Sequence, residues 1–254
     1  MPEETGTTRD RVLIAAGILG VTALCWVWIV PMARDMYGTM TGPSAWMMTA
    51  TWDLPYALLI WAMWGVMMAG MMLPSASPML LLYGATARRG PDPNLALIRV
   101  AAMATGYVLV WLAFSAGVTA IQAAASRLLL LTPMMEPARP WIGGLLLLAA
   151  GLYQFTPLKA ACLRTCRSPL AFIMQRWRAG AIGAFRMGVD HGAYCLGCCW
   201  ALMLLLFAGG VMNLWVIAAL TAFVLIEKLA PFGTHSARLA GLALIALGLW
   251  TFVG

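Results

Sequence analysis

A chain of 254 residues that is 63% hydrophobic and 10% charged, with a mean hydropathy of +0.86, has too few polar side chains to cover a soluble domain, so that class is excluded. The net charge of +7 does not point to nucleic acid either, because the basic residues fall in short connections between apolar runs and are not interleaved with aromatics on a polar surface. The pattern predicts an all-α, polytopic integral membrane bundle, since about 20 apolar residues cross roughly 30 Å of hydrocarbon and a helix pairs its own backbone polar groups.

About seven transmembrane helices are predicted, at 11–31, 54–83, 99–125, 141–158, 186–208, 212–230 and 236–253, within a single transmembrane domain covering 1–254. Residues 1–10, MPEETGTTRD, lack the basic n-region and small-residue cleavage site of a signal peptide, so they read as a short cytoplasmic tail before a retained first span. The second span is rich in methionine and runs into Pro74 and Pro78, where a missing N–H and a ring clash predict a kink or break. Between spans four and five, the basic cytoplasmic connection 159–185 places Leu170, Phe172, Ile173 and Trp177 beside Arg176 and Arg178, which fits an interfacial amphipathic helix or an irregular basic loop. The last two spans, joined by a turn from Pro231 to His235, fit either two crossings or a hairpin that does not fully cross.

Charge predicts the orientation. With the N-terminus cytoplasmic, thirteen of the sixteen basic residues lie inside and only Arg34, Arg127 and Arg139 outside, as the positive-inside rule requires. The expected location is therefore a bacterial inner membrane, with membrane lipid as the first partner and a basic rim against anionic headgroups.

The chemistry concentrates in span five, MGVDHGAYCLGCCWALM. At 100° per residue, His191, Cys195 and Cys198 fall within an arc of about 60°, with Cys199 roughly 40° further round. His191 and Cys198 stand about 10 Å apart along the axis, too far for one ion, whereas Cys195 can chelate with Cys198 or Cys199. Cys162 and Cys166 are one turn apart if the fourth helix continues that far, and they supply a second soft pair. Gly188 and Gly192 would let another backbone approach this helix. Cys25 stands alone and reads as a small core residue.

Methionine adds a second soft signal. Nine of the nineteen lie between Met40 and Met79. Met67 and Met71 continue a ladder from Met63, with Met68 and Met72 on another face, and thioethers suit Cu(I) although methionine is also adaptable core filler. Met32, Met36, Met40, Met47, Met48, Met134, Met135 and Met212 fall in the expected outer segments, while the thiols lie from mid-membrane inward. Thioethers do not form disulfides in an oxidising compartment, and thiols persist where reductant is plentiful, so this sorting suits copper moving inward or held near the inner leaflet.

The runs WAMWGVMMAGMMLPSASP, YQFTPLKAACLRTCRSP and GVDHGAYCLGCCWALMLLLFAGGVMNLW followed by IEK resemble a bacterial family of uncharacterised, predicted metal-binding integral membrane proteins. The resemblance covers roughly residues 46 to 230. It implies roles for Met67, Met68, Met71, Met72 and Pro74, for Lys159, Cys162 and Cys166, and for His191, Cys195, Cys198, Cys199, Glu227 and Lys228. Metal binding is its implication. Copper comes from the softness of the donors, and another soft metal is not excluded by them.

These readings converge on a soft-metal protein, with Cu(I) the expected cargo, acting in copper transport or in delivery to a cuproenzyme. Asp190, Glu227 and Lys228 are the candidates for charge compensation when thiols load, with Asp190 or Arg186 as expected partners of Glu227 and Lys228. A copper donor or acceptor protein, a second copy of the chain or a larger membrane complex are the expected partners. No phosphate loop or nucleophile elbow is present, which argues against an enzyme. The enzymatic alternative is a quinone-linked thiol–disulfide oxidoreductase built on the C-x-x-C pair, for which the third cysteine and the methionines are surplus. A structural subunit of a membrane complex is the other alternative, and it leaves the His–Cys cluster without a purpose.

Overall fold

The structure, a computed structural model, describes residues 2–38, 40, 44–47 and 51–253. Its helices are α1 (Pro2–Met36), α2 (Ser44–Met47), α3 (Leu54–Met72), α4 (Ser77–Arg88), α5 (Ala96–Arg127), α6 (Pro140–Tyr153), α7 (Pro157–Arg167), α8 (Pro169–Arg176), α9 (Gly180–Gly209), α10 (Leu214–Leu229) and α11 (Gly233–Val253). Among the described residues there is no strand, only an isolated bridge between Leu131 and Pro137. Met48 and Gly254, which carried sequence expectations, lie outside the described residues.

Proline and side-chain caps set many of these boundaries. Asp53 accepts from Tyr56 N at 2.9 Å with Pro55 following, and Thr156 accepts from Lys159 N at 3.3 Å with Pro157 following. A proline in the first turn lacks only an N–H that would have no helical partner there. The Pro74 break is present as a short 3-10 turn, Pro74–Ala76, between α3 and α4.

Among the described residues, five helical stretches are long and apolar enough to cross a membrane: Thr8–Met36, Leu54–Arg88, Pro93–Arg127, Gly180–Gly209 and Gly233–Phe252. A sixth arises if α6 and α7, bent by 66° at residues 154–156, form one broken span. The expected straight span 141–158 is thus interrupted at Tyr153, because the Thr156 cap and Pro157 start a new helix. With 16 residues α10 is about 24 Å long, short of the roughly 30 Å of a full crossing. The expected tail 1–10 is helical from Pro2 onward, continuous with α1. Within 159–185, α7 and α8 are regular helices, and the buried Lys159 and Cys162 pack α7 into the bundle.

The most extensive helix pairing is α5 against α9, which run parallel. A side chain at Gly106 would meet the Phe185 and Val189 backbone, and one at Gly188 would meet the Met103 backbone. Backbones this close exclude any Cβ. α3 lies against both α1 and α5, with Trp61 donating to the Leu112 carbonyl at 3.0 Å and Trp64 to Gln122 Oε1 at 2.7 Å. One end of the bundle is basic, with ion pairs Asp10–Arg88 at 3.1 Å and Asp92–Arg99 at 2.7 Å. At the other end the Tyr37 hydroxyl donates to Glu136 at 2.9 Å. Burial, together with that carboxylate, pushes its phenol up to about 12 and keeps it a donor at neutral pH.

Gly188→Ala should therefore destabilise the bundle by roughly 1–3 kcal/mol, the usual cost of overpacking. Gly117→Ala, at an exposed position on α5 with open space around it, should leave the thermal unfolding midpoint in detergent unchanged or slightly raised.

Candidate metal centre

His191, Cys195, Cys198 and Cys199 all point inward from α9, at 4%, 1%, 1% and 0% exposure. The three thiols of this helix interact with one another, and Cys198 Sγ lies 3.2 Å from Cys199 Sγ. From α7, Cys166 Sγ stands 3.9 Å from Cys198 Sγ. Cys162 sits over Gly197, where a Cβ would come within 2.6 Å of its sulfur. Gly197 thus admits α7, and the Tyr153 hydroxyl donates to its carbonyl. Two thiolates at about 2.3 Å from one ion in tetrahedral geometry stand about 3.8 Å apart. The Cys166–Cys198 spacing fits that value, whereas Cys198 and Cys199 would have to part. Among the described residues, no group of three or more His, Cys, Asp and Glu side chains is arranged to hold a metal ion, so the thiols form close pairs and not a finished cage.

One cation faces these thiols directly. Lys228 Nζ lies 2.8 Å from Cys195 Sγ and 3.0 Å from Ser75 Oγ, all of them buried. The break at Pro74 builds this corner. Ala76 N bonds Leu73 in the 3-10 turn, and the Met72 carbonyl accepts instead from Ser75 at 2.7 Å and Tyr107 at 3.0 Å. The Tyr107 hydroxyl is also 3.0 Å from Cys195 Sγ.

The acids are placed elsewhere. Glu227 is fully buried with both carboxylate oxygens on Lys159 Nζ, at 2.7 and 3.0 Å, and Lys159 also donates to the Cys198 carbonyl at 3.0 Å. Asp190 pairs with Arg176 at 3.5 Å and Arg178 at 3.2 Å near the surface. The expected pairing of Glu227 and Lys228 with Asp190 or Arg186 is therefore corrected. Neighbours on a helix diverge by about 100°, and here α7 receives Glu227 while the Pro74 corner and Cys195 receive Lys228. Of the three candidates for charge compensation, Lys228 is the one in contact with a thiol.

His191 keeps its buried Nδ1 without a hydrogen-bond partner among the described residues, with its ring packed against Tyr107 and Phe172 at 5.8 and 5.4 Å between centroids. Phe172 belongs to α8, and Arg176 of the same helix reaches the Tyr194 hydroxyl at 2.6 Å. α8 therefore packs inward over His191 while leaving Leu170 and Met174 exposed. Met67, Met68, Met71 and Met72 are fully buried although they occupy two faces, because α3 is enclosed by neighbouring helices. Met72 meets the cluster through its carbonyl. Cys25 packs against Gly70 of α3, away from the other thiols.

Sequence reading missed Tyr107 and Ser75. Tyr107 is one aromatic in an apolar span, and Ser75 looks like a turn residue between two prolines, so neither carries a spacing signal.

The sequence profile of the PpoB2 family, described as a copper chaperone, matches residues 61–251, well over half of the chain and all of the residues assembled above. The chain belongs to the PpoB2 copper chaperone family. No curated protein and no solved structure matches it. A copper-related function follows from PpoB2 membership, which names the metal that the resemblance to uncharacterised metal-binding proteins left open.

In this PpoB2 chain the Lys159–Glu227 pair gives a test of the scaffold apart from the metal. Lys159→Met should destabilise by about 3–5 kcal/mol, because it leaves Glu227 buried and unpaired. Lys159→Met with Glu227→Leu should recover most of that loss in thermal or denaturant unfolding.

Proposed function

We propose that this protein is a membrane-embedded Cu(I) chaperone that holds its cargo among Cys195, Cys198, Cys199 and Cys166 and passes it to a copper enzyme under assembly. The observation that carries this reading is the cluster of three buried α9 thiols with the half-buried Cys166 of α7 beside Cys198 and the ammonium of Lys228 on Cys195. Soft thiolates select Cu(I) over harder ions. Two thiolates on a monovalent ion leave one negative charge, which Lys228 offsets in an interior where unpaired charge is costly. His191, whose Nδ1 has no hydrogen-bond partner among the described residues, and Cys162 complete the soft surroundings. Met67, Met68, Met71 and Met72 supply thioethers along α3 toward the Pro74 corner. A copper donor and an acceptor protein are the partners this role requires.

Five long apolar helices and the basic connections support a bacterial inner-membrane location, with the N-terminus and the basic end cytoplasmic. Cysteine tags at Arg88 and Arg178 should label from the cytoplasm and one at Met134 from the periplasm. Opposite labelling reverses the orientation.

The metal assignment is tested by anaerobic purification, with copper measured by mass spectrometry and free thiols counted in the same sample. Stoichiometric copper with reduced thiols is expected. Cys195→Ser and Cys198→Ser should each lower Cu(I) occupancy, and Cys25→Ser should not. Lys228→Met should weaken Cu(I) binding by about 10–100-fold, the range for residues that orient or balance a ligand. Full occupancy with unchanged affinity in both thiol variants would sink the assignment. A metal-free sample holding a Cys195–Cys198 disulfide and quinone would favour the oxidoreductase.

A further inference from the structure

A cavity of about 240 Å³ opens at the end of the bundle opposite the basic connections, between α2, α3, the end of α5 and the segment 128–139. Its lining includes Met47 and Met135, which are 1% and 3% exposed. Methionine ordinarily collapses into irregular gaps. Here two methionines instead border a space large enough for several waters at about 30 Å³ each.

Both are held in place. The Tyr56 hydroxyl donates to the Met47 carbonyl at 2.9 Å. Met135 has φ +58°, with its N–H bonded to the Thr132 carbonyl at 2.9 Å, and Leu129, also on the lining, has φ +55°. Left-handed backbone at a non-glycine residue costs on the order of 1–3 kcal/mol and persists where surroundings enforce it, commonly at binding sites. Two such residues border this one cavity.

The lining also restricts what could bind. Among the described residues it carries no carboxylate, and Arg127 stands exposed on it, so hard divalent cations find none of the anionic oxygens they need there. It offers neutral thioethers beside Trp52, Tyr56 and Gln122. We infer that this cavity is a second soft-metal site, in which the Met47 and Met135 thioethers take a singly charged soft cation of the Cu(I) type. The inference rests on the proposed chaperone function and gives it a receiving site. Gln122 at the cavity accepts from Trp64 at 2.7 Å, and Trp64 precedes Met67, Met68, Met71 and Met72 on α3. From Trp64 to Met72 the helix rises about 12 Å, which brings the thioether series to the Pro74 corner and the thiols.

The test uses Ag(I), a soft monovalent ion that needs no reductant, in equilibrium dialysis against the purified full chain. Met47→Leu with Met135→Leu preserves volume and should bind one Ag(I) fewer than wild type, with thermal stability retained. Cys195→Ser with Cys198→Ser should keep that equivalent, and X-ray absorption of its silver should show sulfur neighbours. Equal Ag(I) stoichiometry in wild type and the methionine variant overturns this site whatever the thiol variants do. Normal binding in the thiol variant at every equivalent instead overturns the proposed thiol site. Met47→Leu alone repeats the measurement if the double variant loses its thermal transition, and unchanged stoichiometry there also counts against the site.

Discussion

A buried ammonium has to be partnered, and the Lys228 contacts with Cys195 and Ser75 are the constraint around which this bundle is arranged. To supply them, α3 must break at Pro74 so that Ser75 turns inward. α5 must bring Tyr107 against the same sulfur, and α9 must come close enough to α5 for Cys195 to be enclosed. Gly106 and Gly188 make that last approach possible. The polar corner and the tightest helix contact are therefore two aspects of one packing requirement.

A second buried cation separates scaffold from site. Lys159 is satisfied by Glu227 and the Cys198 carbonyl, which locks α7 to α9 and α10 and sets Cys166 beside Cys198. The charge of Glu227 is consumed in this structural pair. Lys228, with no carboxylate among its hydrogen-bond partners in the described residues, keeps its charge directed at sulfur. A thiol cluster so placed combines soft donors with one positive charge in a low-dielectric interior, which matches the needs of a monovalent cargo better than those of a divalent one.

In the proposed function the methionines and the cysteines serve different parts of one path. Thioethers are neutral at any pH and stable to disulfide exchange, so they can hold a soft ion weakly without binding or releasing protons. Thiols bind more tightly and need their charge balanced. α3 carries the first kind from Trp64, which bonds Gln122 of the far cavity, toward the corner where the second kind begins.

Composition and period alone determined that the chain is helical, that its long runs are apolar enough for a membrane, and that five of its six thiols fall in HGAYCLGCC and CLRTC. These are local properties, set by side-chain type and a 100° turn per residue. The break at Pro74 and the close approach at Gly188 were legible for the same reason, since proline and glycine act on their own backbone. The sequence did not reveal that Thr156 and Pro157 would bend α7 by 66° into the bundle, or that Glu227 would turn to Lys159 while Lys228 turned to Cys195. Nor did it reveal Tyr107, Ser75 or the cavity between Met47 and Met135. Each depends on which helices become neighbours, and tertiary packing decided that by matching buried charges and small residues across elements far apart in the chain.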